Sequence, residues 1–218
     1  MNKILSAILA LCMIVSVTAC SSGNESSVPE EVKGSEDRTM REMTTQELIE
    51  DMGLGINLGN TFESCGNWIN KSSVTNYETA WGSPVITEQM IKGYKDCGFG
   101  VMRLPVAWSN MMDKETYTIN PDYMARVKEV LNWALDSDLY VILNIHHDTK
   151  SSESASGAGY YPRSSAYSSS EKFVTSVWSQ MAEYFKDYDY HLIFETLNEP
   201  RLIGTCLLYT SPSPRDRG

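Results

Sequence analysis

Short apolar runs of strand length alternate with segments of helical periodicity along most of the chain. The strand patterns cover residues 53–58, 100–104, 139–145 and 191–197. Helical patterns cover 44–52 and 87–97, begin at Asn120-Pro121, and begin again at a capping-box pattern of Ser168 with Glu171. The helical faces expected to pack on the core carry Tyr123, Val127, Val130, Leu131 and Ala134 in one helix and Phe173, Val177, Met181 and Tyr184 in the next. This alternation predicts a parallel sheet with right-handed crossovers.

Polar residues end every one of these strand patterns. They are Asn57 and Asn60, then Arg103, then Asn144, His146 and His147, and finally Asn198 and Glu199. In a (β/α)8 barrel the active site lies at the C-terminal ends of the strands. A doubly wound nucleotide-binding sheet instead needs a glycine-rich loop after its first strand, and none occurs there. We therefore predict an α/β fold, the N-terminal half of a (β/α)8 TIM barrel with about four βα units, incomplete as a barrel.

The third strand pattern has two different faces. Alternate residues of a strand point to the same side of the sheet. One side carries Ile142, Asn144 and His146, and the other carries Val141, Leu143 and Ile145. We expect the aliphatic side to face the helices and the polar side to face the barrel mouth. The alternative for His146 is a core histidine satisfied by a hydrogen bond.

The N-terminal segment has the pattern of a secretory signal. Lys3 precedes an apolar run too short to span a bilayer, so residues 1–19 are expected to be a signal peptide. The stretch ending at Cys20 is similar to the lipobox of bacterial lipoproteins, which predicts acylation of the Cys20 thiol; ordinary cleavage near Ala19 is the alternative. Residues 20–41 read as a flexible acidic linker. We expect an extracytoplasmic lipoprotein, at the cell surface or in the periplasm, attached to the membrane through Cys20.

The last residues follow a different pattern. From Cys206 to Asp216 the chain has no periodicity, and codon by codon it reads as the translation of a transposase adapter used in preparing sequencing libraries. We expect residues 206–218 to be such an artefact, with the native coding sequence interrupted after about Thr205. A genuine proline-rich terminus is the alternative.

Charge and cysteine content exclude several classes of function. The formal net charge is −10 and no basic cluster occurs, so no nucleic-acid partner is expected. Cys65 and Cys97 are the cysteines within the folded part; they could form one disulfide outside the cytoplasm or remain buried thiols. No cysteine or histidine spacing suggests zinc, and we expect neither a metal nor a cofactor.

Five motifs, in order along the chain, carry a family resemblance. They are Gly55-Ile56-Asn57-Leu58-Gly59-Asn60-Thr61, Glu78-Thr79-Ala80-Trp81-Gly82 with Pro84, Arg103-Leu104-Pro105-Val106-Ala107-Trp108, Asn144-Ile145-His146-His147-Asp148 and Asn198-Glu199-Pro200. Together they resemble the motifs of the glycoside hydrolase family 5 endo-β-glucanases. The resemblance covers residues 45 to about 205, so we expect residues 42–205 to be a partial catalytic barrel of that family. It implies retaining chemistry and no required metal.

The resemblance also implies roles for the polar strand ends. Glu199 would be the general acid/base, and it would have to stay protonated until substrate arrives, which burial beside a second carboxylate would favour. Asn198 would donate to the 2-hydroxyl of the sugar. Arg103 would orient the nucleophilic glutamate, which is missing from this sequence; a structural salt bridge is the alternative for Arg103. His146 and His147 would bind sugar hydroxyls, and Asn60 would also contact the substrate.

Aromatic residues offer candidate sugar platforms. The carbon face of a pyranose packs well on an aromatic ring, and Trp81 and Trp108 follow the first two strands. Trp133 and Trp178 lie in predicted helices and are expected in the core. The Ser/Gly-rich loop 151–169, with Tyr160 and Tyr161, either frames the cleft or is a disordered surface loop.

These features predict a monomeric, retaining, endo-acting β-glycanase that hydrolyses plant cell-wall β-glucan. Cellulose or mixed-linkage glucan is the leading substrate, with xyloglucan and mannan as alternatives. A carbohydrate-binding surface lipoprotein with a non-catalytic barrel is the alternative function. Because a barrel needs all eight strands, the chain as written is expected to be inactive.

Overall fold

The computed structural model of the chain describes residues 42–202. The predictions for the signal peptide, the lipid-bearing Cys20, the linker and the adapter-like segment 206–218 concern residues outside that range and stay predictions. No helix within the described range is both long and apolar enough to cross a membrane.

A four-stranded parallel sheet forms the centre of the described residues, with its strands in the order in which they occur along the chain. The strands are β1 (Leu54–Asn57), β2 (Phe99–Leu104), β3 (Tyr140–Asn144) and β4 (Leu192–Glu195). Between each pair of neighbours the chain passes through a helix. Sequential parallel pairing of this kind is that of consecutive βα units in a (β/α)8 barrel, and the predicted N-terminal half-barrel is confirmed.

Five α-helices accompany the sheet in the described range. They are α1 (Thr45–Met52), α2 (Thr75–Thr79), α3 (Glu88–Asp96), α4 (Pro121–Asp136) and α5 (Tyr167–Tyr184), with 3-10 turns at Trp108–Met111 and Ser164–Ala166. Local caps explain two of the starts. Thr44 forms a capping box with Glu47, and the Asn120 side chain accepts from the amides of Asp122 and Tyr123. The sequence missed α2 because five residues are too few to show a helical period.

The predicted capping box at Ser168 is wrong. Helix α5 begins at Tyr167, and its N-cap residue Ala166 makes no side-chain cap. One nearby serine contacts the preceding loop: Ser170 Oγ donates to the carbonyl of Tyr161 and accepts from its amide, at 2.9 Å each. The local pattern failed because the helix already begins at Tyr167, so Ser168 lies inside its first turn and not at the N-cap.

The core lies between the sheet and α4 and α5. The aliphatic face of β3 is fully buried, as its parity predicts, and so are the expected face of α4 and Phe173, Val177 and Met181 of α5. Trp133 and Trp178 are half-buried against this core. Tyr184 is the exception, being 41% exposed. It lies at the outer groove between the two helices, with Lys128 Nζ 5.1 Å from its ring.

Both cysteines of the folded part are free thiols, so the disulfide alternative is wrong. Cys97 is exposed just after α3, whereas Cys65 is half-buried in the loop after β1. Burial raises the pKa of the Cys65 thiol, and the nearby carboxylates of Asp148 and Glu63 raise it further.

Candidate active site

A cleft of about 200 Å³ lies at the carboxyl end of the sheet. It brings together most of the residues that the sequence singled out; its lining consists of Cys65, Trp81, His146, His147, Thr149, Asn198, Glu199 and Arg201. These side chains come from the loops that follow β1, β3 and β4. Loops at this end of a (β/α)8 barrel carry the active site.

Arg103 lies beside this cleft and forms a salt bridge, which was the alternative interpretation of this residue, with a partner, Glu195, that the sequence did not identify. Its Nε and Nη2 donate to the two carboxylate oxygens of Glu195, each at 2.6 Å, and Nη2 also donates to Asn198 Oδ1 at 3.0 Å. The hydrogen bonds from Arg103 hold the pKa of Glu195 below its ordinary value. The one signal in the sequence was an acidic residue inside an otherwise apolar strand, because such a charge needs a partner.

The ion pair leaves one edge of the guanidinium accessible. Among residues 42–202, Nη1 of Arg103 has only a long contact, 3.4 Å, to Asn57 Oδ1. Asn198 is oriented by the same pair: its Oδ1 accepts from Arg103, so its Nδ2 remains as a donor.

Asn144 fixes the tautomer of His146. Its Oδ1 accepts from the Val106 amide at 3.3 Å, and its Nδ2 donates to Glu195 Oε1 at 3.2 Å. Because an amide N–H can only donate and a carboxylate can only accept, the Asn144 amide has one orientation. Its Nδ2 also lies 3.0 Å from His146 Nδ1, which must therefore accept. The neutral ring then carries its proton on Nε2.

Both cleft histidines favour the neutral form. Burial lowers the pKa of His146 to about 4, assisted by the charges of His147 and Arg103. Burial also lowers the pKa of His147. Its ring lies 5.6 Å, between centroids, from that of Trp81, which is 38% exposed and lines the cleft. At neutral pH the two imidazoles are therefore hydrogen-bonding groups without charge.

Trp108 has no part in the cleft, so its interpretation as a sugar platform is wrong. Its side chain is fully buried, and its Nε1 donates to the Asn144 carbonyl at 2.9 Å. Asp148 belongs to the motif that begins at Asn144, but the sequence assigned it no role of its own. Its carboxylate accepts from the amides of Trp108 and Ser109 at 3.0 Å each. Complete burial raises the pKa of Asp148 to about 6.

Asn60 lies at the turn after β1, outside the cleft lining. Its φ of +59° is a conformation that asparagine tolerates better than most residues. The buried carboxylate of Glu63 holds this turn by accepting from the backbone amides of Asn60 and Thr61. The sequence did not identify Glu63, because a carboxylate that binds backbone leaves no pattern in side-chain spacing.

Glu199 lies at the open side of the cleft. Its side chain is 63% exposed, with one oxygen 3.5 Å from Arg201 Nη1. The burial expected of a general acid is therefore not provided by residues 42–202. Its φ is +40°, a strained value for a residue with a side chain, and such strain is concentrated at functional sites. Within the described range no cluster of His, Cys, Asp and Glu could hold a metal ion.

Comparison with known proteins agrees with this geometry. The family model for cellulase, glycosyl hydrolase family 5, matches residues 62–206. Endoglucanase A of Clostridium longisporum is 40% identical over 175 residues, which are 80% of this chain and 32% of that protein.

Solved structures of proteins from the same family also superpose on this chain. A family 5 lichenase from Caldicellulosiruptor sp. F32 superposes with a TM-score of 0.70 at 37% identity, covering 85% of this chain and 50% of that one. A mutant of a lichenase from the same source, in complex with cellotetraose, superposes with a TM-score of 0.70 at 38% identity. The match covers 82% of this chain and 47% of that one. The chain thus spans between about a third and a half of the length of these three relatives.

Proposed function

The chain belongs to the cellulase family, glycosyl hydrolase family 5, and from this we propose that the complete protein is an endo-acting β-glycanase that hydrolyses plant cell-wall β-glucan. By the complete protein we mean residues 42–202 joined to the remaining βα units of the barrel. The observation that carries the proposal is the cleft in which Glu199 lies with Asn198, His146 and Trp81 at the carboxyl end of the sheet.

We propose a retaining mechanism with Glu199 as general acid/base. Retaining glycosidases place two carboxyl groups about 5–5.5 Å apart across the scissile bond. Glu199 would protonate the leaving oxygen and then activate water. The nucleophilic glutamate would come from a later strand, which would also help to bury Glu199.

Arg103 is suited to hold that nucleophile. Glu195 occupies its Nε and Nη2, which leaves the edge carrying Nη1 to donate to an incoming carboxylate. A donor there favours the ionised, nucleophilic form of the second glutamate. Glu195 would thus be a positioning residue for Arg103.

The remaining polar groups suit a neutral sugar. Asn198 Nδ2 is available for the 2-hydroxyl, a contact that strengthens as positive charge develops on the sugar ring. His146 would donate from Nε2 to another hydroxyl, and His147 would bind hydroxyls beside Trp81. Trp81 would stack on a pyranose ring.

The substrate we favour is cellulose or mixed-linkage glucan. The relatives include an endoglucanase and a lichenase, and one related structure holds cellotetraose. Xyloglucan and mannan remain alternatives, because loops of the other half-barrel would line the rest of the cleft.

The decisive experiment replaces Glu199 by Gln in the complete protein. Hydrolysis of β-glucan should fall by about 10²–10⁴-fold, with less loss on aryl glycosides whose leaving group needs little protonation. Binding of cello-oligosaccharides should be retained. Glu183→Gln on the outer helix α5 is the control and should hydrolyse normally.

Near wild-type turnover of unactivated β-glucan by Glu199→Gln would show that Glu199 is not the acid. Binding without hydrolysis by the wild-type complete protein would favour the non-catalytic surface lipoprotein instead. The 218-residue chain itself should release no reducing sugar, since the four strands found in residues 42–202 cannot close a barrel. Robust turnover by that chain would contradict the half-barrel argument.

We also propose that Cys20 carries a lipid that holds the mature protein on the outer side of the membrane. Two features of the sequence support this, the lipobox-like stretch ending at Cys20 and the acidic linker that follows. Cys20→Ala should move the protein from the membrane fraction to the soluble or precursor fraction. Mature wild-type protein with an unmodified Cys20 thiol would disprove acylation.

A further inference from the structure

A buried ion pair outside the cleft joins the end of helix α2 to helix α4. The side chain of Glu78 is completely buried, and that of Arg126 is 15% exposed. Nε of Arg126 donates to Glu78 Oε1 and Nη2 donates to Oε2, both at 2.9 Å. Glu78 begins the motif that contains Trp81, but the family resemblance gives neither Glu78 nor Arg126 a role in catalysis or substrate binding.

The same two side chains also bind both backbone groups of Ile86, its amide and its carbonyl. The Ile86 amide donates to Glu78 Oε2 at 2.7 Å, and Arg126 Nη2 donates to the Ile86 carbonyl at 2.7 Å. We call Glu78, Arg126 and the Ile86 backbone the clasp. Because Glu78 lies near the end of α2 and Ile86 lies just before α3, the clasp closes the loop between these helices, residues 80–86, at its base.

Trp81 lies within this loop and is its contribution to the cleft. The rest of the loop gives the indole little support of its own: Gly82 has a φ of +92° and Pro84 and Val85 are exposed. Arg126 of the clasp, in contrast, lies in α4, a helix of 16 residues. Arg126 is further held there by Glu129 at 2.5 Å and by the Trp133 ring, 5.1 Å from its guanidinium carbon.

A buried ion pair contributes little net stability compared with apolar residues, but breaking it leaves an unpaired buried charge. Loss of Arg126 would therefore expel the Glu78 carboxylate towards water and release Ile86 with it. The loop base would open, and Trp81 would lose its place above His147.

We propose that Glu78 and Arg126 are positioning residues that set the place of the Trp81 sugar platform from outside the cleft. This rests on the proposed function, since it assumes that Trp81 stacks on a sugar. Removing the clasp should weaken binding of substrate and transition state alike, which raises KM and leaves kcat nearly unchanged.

The test uses the complete protein with Arg126→Met, which keeps an unbranched apolar side chain and removes the guanidinium group. KM for soluble β-glucan should rise by up to about fivefold, the most that loss of the Trp81 contact can cost, and hydrogen exchange of segment 79–86 should accelerate. Arg126→Lys keeps the positive charge but cannot make the bidentate contact with Glu78. Its KM should lie between those of Arg126→Met and wild type. In a Trp81→Ala background, Arg126→Met should raise KM no further, since both changes remove the same contact.

Two controls on α4 separate positioning from general destabilisation. Glu129→Gln removes a charge next to Arg126 but keeps an oxygen that can accept from it, so KM should stay unchanged. Val130→Ala makes a cavity in the core and should lower the melting temperature while KM stays the same.

An unchanged KM in Arg126→Met, or additive effects with Trp81→Ala, would overturn the proposal. So would an equal rise in KM in Val130→Ala. If the wild-type complete protein bound no β-glucan, the proposed function would fail first. The exchange rate of segment 79–86 would then decide on the clasp alone: acceleration in Arg126→Met supports it, and unchanged exchange overturns it.

Discussion

Trp81 and Trp108 follow the first and second strands of the same sheet, and the sequence makes both indoles candidates for sugar platforms. The structure separates them. Trp81 lines the cleft beside His147, whereas Trp108 is completely buried and donates its indole N–H to the Asn144 carbonyl. The same residue type at the same end of the barrel therefore has two different surroundings.

The difference lies in where a buried carboxylate binds each loop. Asp148 accepts from the amides of Trp108 and Ser109, so it draws the tryptophan backbone itself inward. Glu78 instead accepts from Ile86, at the far base of its loop, and leaves Trp81 outside. In this structure the indole whose own backbone amide binds a carboxylate is buried, and the indole whose loop is bound at its ends lines the cleft.

The largest effect is expected from Trp108→Ala. Removing a buried aromatic side chain costs about 3–5 kcal/mol of unfolding free energy, measurable by urea unfolding of the complete protein. Trp108→Phe keeps most of the ring but leaves the Asn144 carbonyl without its donor, at about 1–3 kcal/mol. If Trp108→Ala kept normal stability and lost only sugar binding, Trp108 would be a platform after all.

A smaller effect, on pH dependence, is expected from Asp148→Asn. The pKa of Asp148 is raised to about 6 from an ordinary value of 3.8, so the folded protein binds this proton more tightly than the unfolded chain does. The resulting stabilisation is complete below pH 3.8 and is lost as the pH rises through 6. It amounts to about 3 kcal/mol.

Unfolding free energies of wild type and Asp148→Asn, compared between pH 4 and 7, test this. The stability of the wild type relative to the variant should fall as the pH rises. A difference that stays constant across this range would show that Asp148 does not titrate there.

The smallest effect is expected from Trp81→Ala. Affinity for cello-oligosaccharides should fall by about 1 kcal/mol, roughly fivefold, while the unfolding free energy changes by less than about 0.5 kcal/mol. Trp68→Ala is a matched control, because its indole is also exposed but lies outside the cleft lining. Calorimetric titration of both variants with cello-oligosaccharides measures the two affinities. Equal losses of affinity would show that Trp81 is not part of the binding site.

The sequence by itself determined the features that depend on near neighbours along the chain. Strand and helix alternation predicted the parallel sheet, the parity of β3 predicted its buried face, and Thr44 and Asn120 predicted helix starts. The polar strand ends predicted which end of the sheet carries the cleft. Each of these depends on periodicity or on a cap that acts within a few residues.

Only the tertiary structure decided which side chain meets which. Arg103 and Glu195 are 92 residues apart in sequence, and the parallel register of β2, β3 and β4 brings them together. Likewise, Asp148 buries Trp108 and Glu63 holds the Asn60 turn through backbone amides. These contacts depend on the distance between strands and on the shape of the loops. A buried charge demands a partner, but the chain's packing selects it.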